Sequence, residues 1–152
     1  MNDLEYVNKW IKFAQRDYDV AAYLNENFRP LPVENICYGC QQTVEKALKA
    51  ILVYFTGDTP KTHDLVTLNN LCKQHTTMVT LENRVAGLIT RFATKSRYPD
   101  EVYDFTEDDV RLGLKHVKQT LEQAEQAEQA EQAIINTSEE KEPINTPEEQ
   151  KE

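Results

Sequence analysis

Apolar residues recur along this chain at steps of three and four, in blocks separated by proline, glycine and charge. In residues 3–27, Leu4, Val7, Ile11, Ala14, Tyr18 and Ala21 alternate between the two steps, which places them on one helix face. Tyr6, Trp10, Phe13, Val20 and Leu24 broaden that face, so this first helix is expected to be buried by more than one neighbour. Arg29-Pro30-Leu31-Pro32 interrupts it, since proline disfavours helix both in itself and in the residue before it. A second stripe, Val33, Ile36/Cys37, Cys40, Val44, Ala47/Leu48, Ile51 and Phe55, predicts a helix from about Val33 to Phe55, ended by Gly57 and Pro60.

Leu65, Leu68 and Leu71/Cys72 predict a shorter third helix, with Thr62 or His63 near its N-cap. Leu81, Val85, Leu88/Ile89 and Phe92 predict a fourth, and Ser96-Arg97-Tyr98-Pro99-Asp100 is a break. Thr106 followed by Glu107-Asp108-Asp109 reads as an N-cap with an acidic first turn, opening a fifth helix through Val110, Leu114, Val117 and Leu121. No segment alternates with period two between hairpin turns. The expected fold is all-α, an antiparallel up-and-down bundle of four to five helices with short connections.

Glu-Gln-Ala then repeats four times over residues 122–133. The composition favours helix, but a three-residue repeat drifts around a 3.6-residue turn, so its alanines make no stable face. The repeat is expected to carry the last helix into solvent, closing a bundle domain over 1–133. Residues 134–152 read as an acidic, proline-punctuated, disordered tail.

Charge follows the same division. The net charge of −9 separates into −1 for residues 1–121, with 15 basic and 16 acidic side chains, and −8 for residues 122–152, with 2 Lys and 10 Glu. The tail therefore opposes non-specific nucleic-acid binding, while the body is free to carry a local basic patch. The 152 residues are enough for one domain with a real core. No apolar run reaches membrane-spanning length and no signal-peptide pattern opens the chain, so a cytoplasmic, non-membrane protein is expected. Three cysteines fit reduced thiols better than a disulfide framework.

Cys37-Tyr38-Gly39-Cys40 has redox or zinc spacing, and Cys72 with His75 supplies a second pair for zinc. Both cysteines of the first pair fall on the apolar stripe of a helix that no strand precedes. They read as small buried hydrophobes, with a metal site as the alternative and no cofactor expected. His63 precedes a helix and reads as a capping residue, with a site histidine as the alternative. Arg111 and His116 have R-x4-H spacing, yet five residues separate side chains by roughly 140° around a helix. Arg91, Lys95, Arg97 and Tyr98 gather at the end of the fourth helix. There they either complement the helix dipole or hold phosphate or RNA backbone, with Tyr98 available for stacking. Phosphate-loop, dinucleotide, nucleophile-elbow and H-E-x-x-H patterns are absent from the sequence.

Ala14-Gln15-Arg16-Asp17-Tyr18, Cys40-Gln41-Gln42-Thr43-Val44-Glu45-Lys46-Ala47-Leu48-Lys49-Ala50, Lys61-Thr62-His63-Asp64-Leu65 and Arg97-Tyr98-Pro99-Asp100 occur in an order that resembles HEPN domains, over about residues 4–121. The resemblance implies a helical bundle, commonly a homodimer, often paired with a minimal nucleotidyltransferase in a toxin–antitoxin-like module. Similar domains contribute to the nucleotide and substrate site of aminoglycoside nucleotidyltransferases. Many members are metal-independent ribonucleases whose R-x4–6-H motif precedes the last helix. Here the corresponding window, 91–105, holds Arg91 and Arg97 but no histidine, so the usual agent of proton transfer is missing. The expectation is a non-catalytic member that binds a nucleotidyltransferase, and a nucleotide or RNA, at a cleft bordered by the second helix, the 61–64 turn and Arg97/Tyr98. Gln41, Gln42, Glu45, Lys46, Lys49, His63 and Arg91 are the further candidates for that cleft. The alternatives are a divergent endoribonuclease using Arg97 or Arg91 with His63 or His116, and a dimeric adaptor or zinc-stabilised bundle.

Overall fold

A computed structural model of the chain describes residues 3–94 and 104–140. Five helices form: α1 Asp3–Asn27, α2 Val33–Thr56, α3 Leu65–Lys73, α4 Asn83–Thr94 and α5 Glu107–Glu140. There is no strand among the described residues, and none of their helices is long and apolar enough to cross a membrane. The all-α bundle expected from the apolar stripes is the fold observed.

α2 is the central element and touches the other four. Its stripe of Ile36, Cys37, Cys40, Val44, Ala47, Leu48 and Ile51 is buried in the main core. α1 packs antiparallel to it, so Asp17 meets Lys46 and Val7 clusters with Ala50 and Val53. Gly39 permits that approach, because a Cβ there would stand 3.1 Å from the Cβ of Ala21.

Gly57 ends α2 in a left-handed conformation, φ 79°, its N–H donating to the Val53 carbonyl. The chain then climbs back along α2, which brings His63 against Glu45. α3 consequently descends beside α2: Cys72 meets the Leu48 carbonyl, and His75 stacks on Phe55. The N-cap of α3 is Asp64, whose carboxylate accepts from the Val66 N–H at 3.1 Å, and not Thr62 or His63. Asp64 is the residue whose side chain reaches the open first turn, and His63 is engaged elsewhere.

Leu81 packs in the core just before α4. Buried Asn69 holds it there by donating to its carbonyl at 2.7 Å. α5 opens as its sequence predicts: Thr106 N–H donates to the Asp109 carboxylate at 2.8 Å, and Asp109 N–H donates back to Thr106 Oγ1.

The Glu-Gln-Ala segment does not leave the bundle at once, since Ala124 and Ala127 are buried against α1 and α2 and Gln123 and Thr80 exchange two hydrogen bonds. The drift argument applies only from Ala130, which is exposed, and the helix continues through Glu140, past Ala133 where the tail was expected to begin. α1 is buried by more than one neighbour, as its broad apolar surface predicts. α2 and α5 cover the Val7, Ala14 and Ala21 face, while Tyr6, Phe13 and Val20 stand exposed, with no third helix over them among the described residues.

Candidate functional site

Two features lie on or beside α1 and α2. The first is an apolar stripe along α1. Tyr6, Phe13 and Val20 are spaced by seven residues, so they line up along the helix, and all are exposed. Val20 is 55% exposed and Tyr23, near it, 65%. Tyr38 of α2 adds another exposed ring. Val20 and Tyr38 also edge a cleft of about 600 Å³ floored by Ala21, Gly39 and Phe92. Its polar lining includes Asp17, Glu34 and Gln42. Lys46, the cation nearest Asp17, is bound to it as an ion pair. The described lining thus offers a phosphate two carboxylates and no uncommitted cation.

The second feature is a polar row on α2. Gln41, Glu45 and Lys49 sit at successive steps of four and are nearly fully buried. Gln42 Nε2 donates to Gln41 Oε1 at 2.7 Å, Gln41 Nε2 donates to Glu45 Oε1 at 3.4 Å, and Lys49 Nζ stands 3.8 Å from Glu45 Oε2. The Lys49 ammonium also lies 5.9 Å from the Trp10 ring centre, within cation–π range. His63 completes the row from above, its Nδ1 2.7 Å from Glu45 Oε1. The His63 side chain is 81% exposed while that of Glu45 is 7% exposed. A buried carboxylate thus orients an imidazole whose other nitrogen faces outward, a geometry suited to proton transfer.

The structure therefore gathers Gln41, Gln42, Glu45, Lys49 and His63. Lys46 is instead paired with Asp17 of α1. Arg91, at the end of α4, lies with its guanidinium 5.8 Å from the Phe105 ring centre. Arg97 and Tyr98, with Lys95, fall outside the described residues. Arg111 pairs with Asp108 in the first turn of α5, whereas His116 lines a separate shallow pocket with Thr80, Glu82 and Gln123.

The cysteines form part of the wall. Cys37, Cys40 and Cys72 are fully buried thiols. Burial, and for Cys40 also the neighbouring Cys37, pushes Cys40 and Cys72 up to about 12 from 9.0. Thiolate, the form that attacks disulfides and binds zinc, is thereby disfavoured. Cys72 donates its S–H to the Leu48 carbonyl at 3.2 Å, and the His75 ring is stacked on Phe55. Among the described residues no three His, Cys, Asp or Glu side chains gather as a metal site.

Sequence reasoning missed the exposed stripe and the Glu45–His63 contact. The contact joins residues 18 apart across a loop whose path no periodicity encodes. A signal was present, because Gln41, Glu45 and Lys49 form one polar line through an otherwise apolar helix.

Comparison with known proteins gives a family and a structural relative. The model of the HEPN domain matches residues 7–140. The crystal structure of an archaeal HEPN homologue superposes with a TM-score of 0.59 at 26% identity, covering 80% of this chain and 96% of that one. No functionally curated protein matches the sequence.

Proposed function

This chain belongs to the HEPN domain family, and on that premise we propose that it acts by binding and not by catalysis. It forms a homodimer that engages a minimal nucleotidyltransferase in a toxin–antitoxin-like module, with a nucleotide or RNA bound beside α2. The observation that carries this reading is the exposed heptad stripe of α1, Tyr6, Phe13 and Val20, whose Val20 end lines the cleft with Asp17 and Tyr38. Apolar side chains aligned along one helix and left exposed among the described residues mark a surface for another protein. The sequence supports the same reading, since the 91–105 window lacks the histidine that an R-x4–6-H ribonuclease needs.

The test is recovery of the chain from its own host under native conditions, with calorimetric titration of purified protein against nucleoside triphosphates. A co-purifying nucleotidyltransferase is expected. Recovery of none, together with no heat of nucleotide binding, would overturn the proposal.

The Glu45–His63 pair favours a second reading, a metal-independent endoribonuclease in which His63 takes the ribose 2′-OH proton and Arg91 or Arg97 stabilises the phosphate. It predicts RNA cleavage in the presence of a chelator that His63→Ala reduces by about 10²-fold or more. Purified protein that leaves RNA intact excludes it.

A further inference from the structure

α5 has 34 residues against 25 in α1, and its carboxyl-terminal part projects from one end of the bundle. Ala124 and Ala127 lie among Val7 and Ile11 of α1 and Tyr54 and Phe55 of α2. α1 runs in the opposite direction and begins at Asp3, so α5 leaves the bundle past the amino-terminal end of α1. Ile134 lies seven residues beyond Ala127, about two turns further on nearly the same face. The packing stripe of α5 thus outlasts its partners: Ile134 is 60% and Ile135 43% exposed, and Leu4 and Tyr6 of α1 are exposed as well.

Charge decides what fits there. From residue 119 to 140, α5 carries Glu122, Glu125, Glu128, Glu131, Glu139 and Glu140, and no Lys or Arg. A second copy would set this row against itself, and nucleic acid or an anionic membrane would meet the same repulsion. Partial burial and the preceding carboxylate already push Glu125 and Glu128 upward, a conflict that a cationic partner relieves.

We propose that the α5 extension and the amino-terminal end of α1 together dock a basic amphipathic segment of another polypeptide. Its apolar side chains sit on Ile134, Ile135 and Leu4, and its Lys or Arg side chains meet the glutamates on the Ile135 side of the helix, Glu128 and Glu139. This surface is separate from the Val20 end of the α1 stripe, so it stands or falls apart from nucleotidyltransferase binding there.

The test titrates the full chain into a fluorescein-labelled synthetic helix with Leu on one face and Lys on the other, reading anisotropy at low and high salt. Saturable binding is expected, weakened by salt, and weakened about tenfold or more when Ile134→Ser and Ile135→Ser are combined. Removing one Glu-Gln-Ala unit restores the same sequence around Ala124 and Ala127, but draws Ile134 back by about 4.5 Å and turns it by about 60°. That variant should bind as weakly as the double serine variant. Both changes lie in exposed helix, and circular dichroism checks that each protein stays folded. The proposal is overturned if the peptide fails to bind, or if binding responds to salt alone and ignores both variants. It is also overturned if sedimentation shows a self-associated parent that the serine variant dissociates, which assigns the surface to a second copy.

Discussion

Replacing Cys72 by alanine distinguishes a core thiol from a reactive one, and the distinction depends on pH. The Cys72 side chain is fully buried and its S–H points at the Leu48 carbonyl. Near neutral pH, losing the sulfur leaves a small void and removes a second hydrogen bond to a carbonyl that already accepts within α2, costing about 1–2 kcal/mol. Burial raises the native thiol from 9.0 to about 12, so the folded state retains a proton that the unfolded chain gives up. The stability tied to this thiol is therefore fully present below pH 9 and is lost as pH rises through 12. At a pH of about 10.5 the loss amounts to about 2 kcal/mol, from 1.36 kcal/mol per unit over about 1.5 units. Cys72→Ala has no thiol to titrate there, while the lysines and tyrosines titrate in both proteins and cancel in the difference. Urea unfolding at a series of pH values should show the alanine variant less stable at pH 7 and level with the parent, or above it, near pH 10.5. A stability difference that stays constant across this range would refute the buried-wall reading. So would native Cys72 reacting with a thiol reagent as fast as a free thiol.

Other perturbations test the packing around the site. Lys49→Met leaves Glu45 buried with only His63 and Gln41 beside it, and should cost about 3 kcal/mol in urea unfolding. Adding Glu45→Leu should recover much of that loss, because the uncompensated charge goes with it. Gly87→Ala should stabilise α4 by up to about 1 kcal/mol, since its Cβ would meet Val66 at an ordinary 3.8 Å. Gly39→Ala should bring no gain despite the same helical preference, because its Cβ would press on the backbone-fixed Ala21 Cβ at 3.1 Å and part α1 from α2. Glu125 and Glu128 are both raised above 4.5 in the folded chain, so protonation favours the fold, and stability at α5 is lost as pH rises through their raised values. Combined Glu125→Gln and Glu128→Gln should therefore raise the thermal midpoint at pH 7 relative to the parent, and the advantage should vanish below pH 4.5.

The helices were legible because their apolar residues obey a period that burial enforces: the α2 stripe from Ile36 to Ile51 is the stripe that lies in the core. Capping chemistry was equally direct at Thr106 and Asp109, where the contacts are local. At α3 the sequence locates the N-cap only to a neighbourhood, because Thr62, His63 and Asp64 are all polar and the backbone path selects Asp64. The site was less legible for a related reason. Periodicity says that Phe13 and Val20 are apolar and aligned, but not that no helix among the described residues covers them. It likewise places Glu45 on α2 without saying that the 57–64 loop returns far enough for His63 to reach it. The Glu-Gln-Ala repeat misled because drift is cumulative: two units still share the face set by Val117 and Leu121, and burial ends only after Ala127.

Native mass spectrometry of the chain recovered from its own host, alongside a Phe13→Ser and Val20→Asp double variant, tests the binding role most directly. Both substituted side chains are exposed, so the variant should keep the parent's thermal midpoint. The account predicts an assembly of two copies with a nucleotidyltransferase for the parent, and the chain alone for the variant. A parent that flies as a lone chain, or a variant that retains the whole assembly, would contradict it.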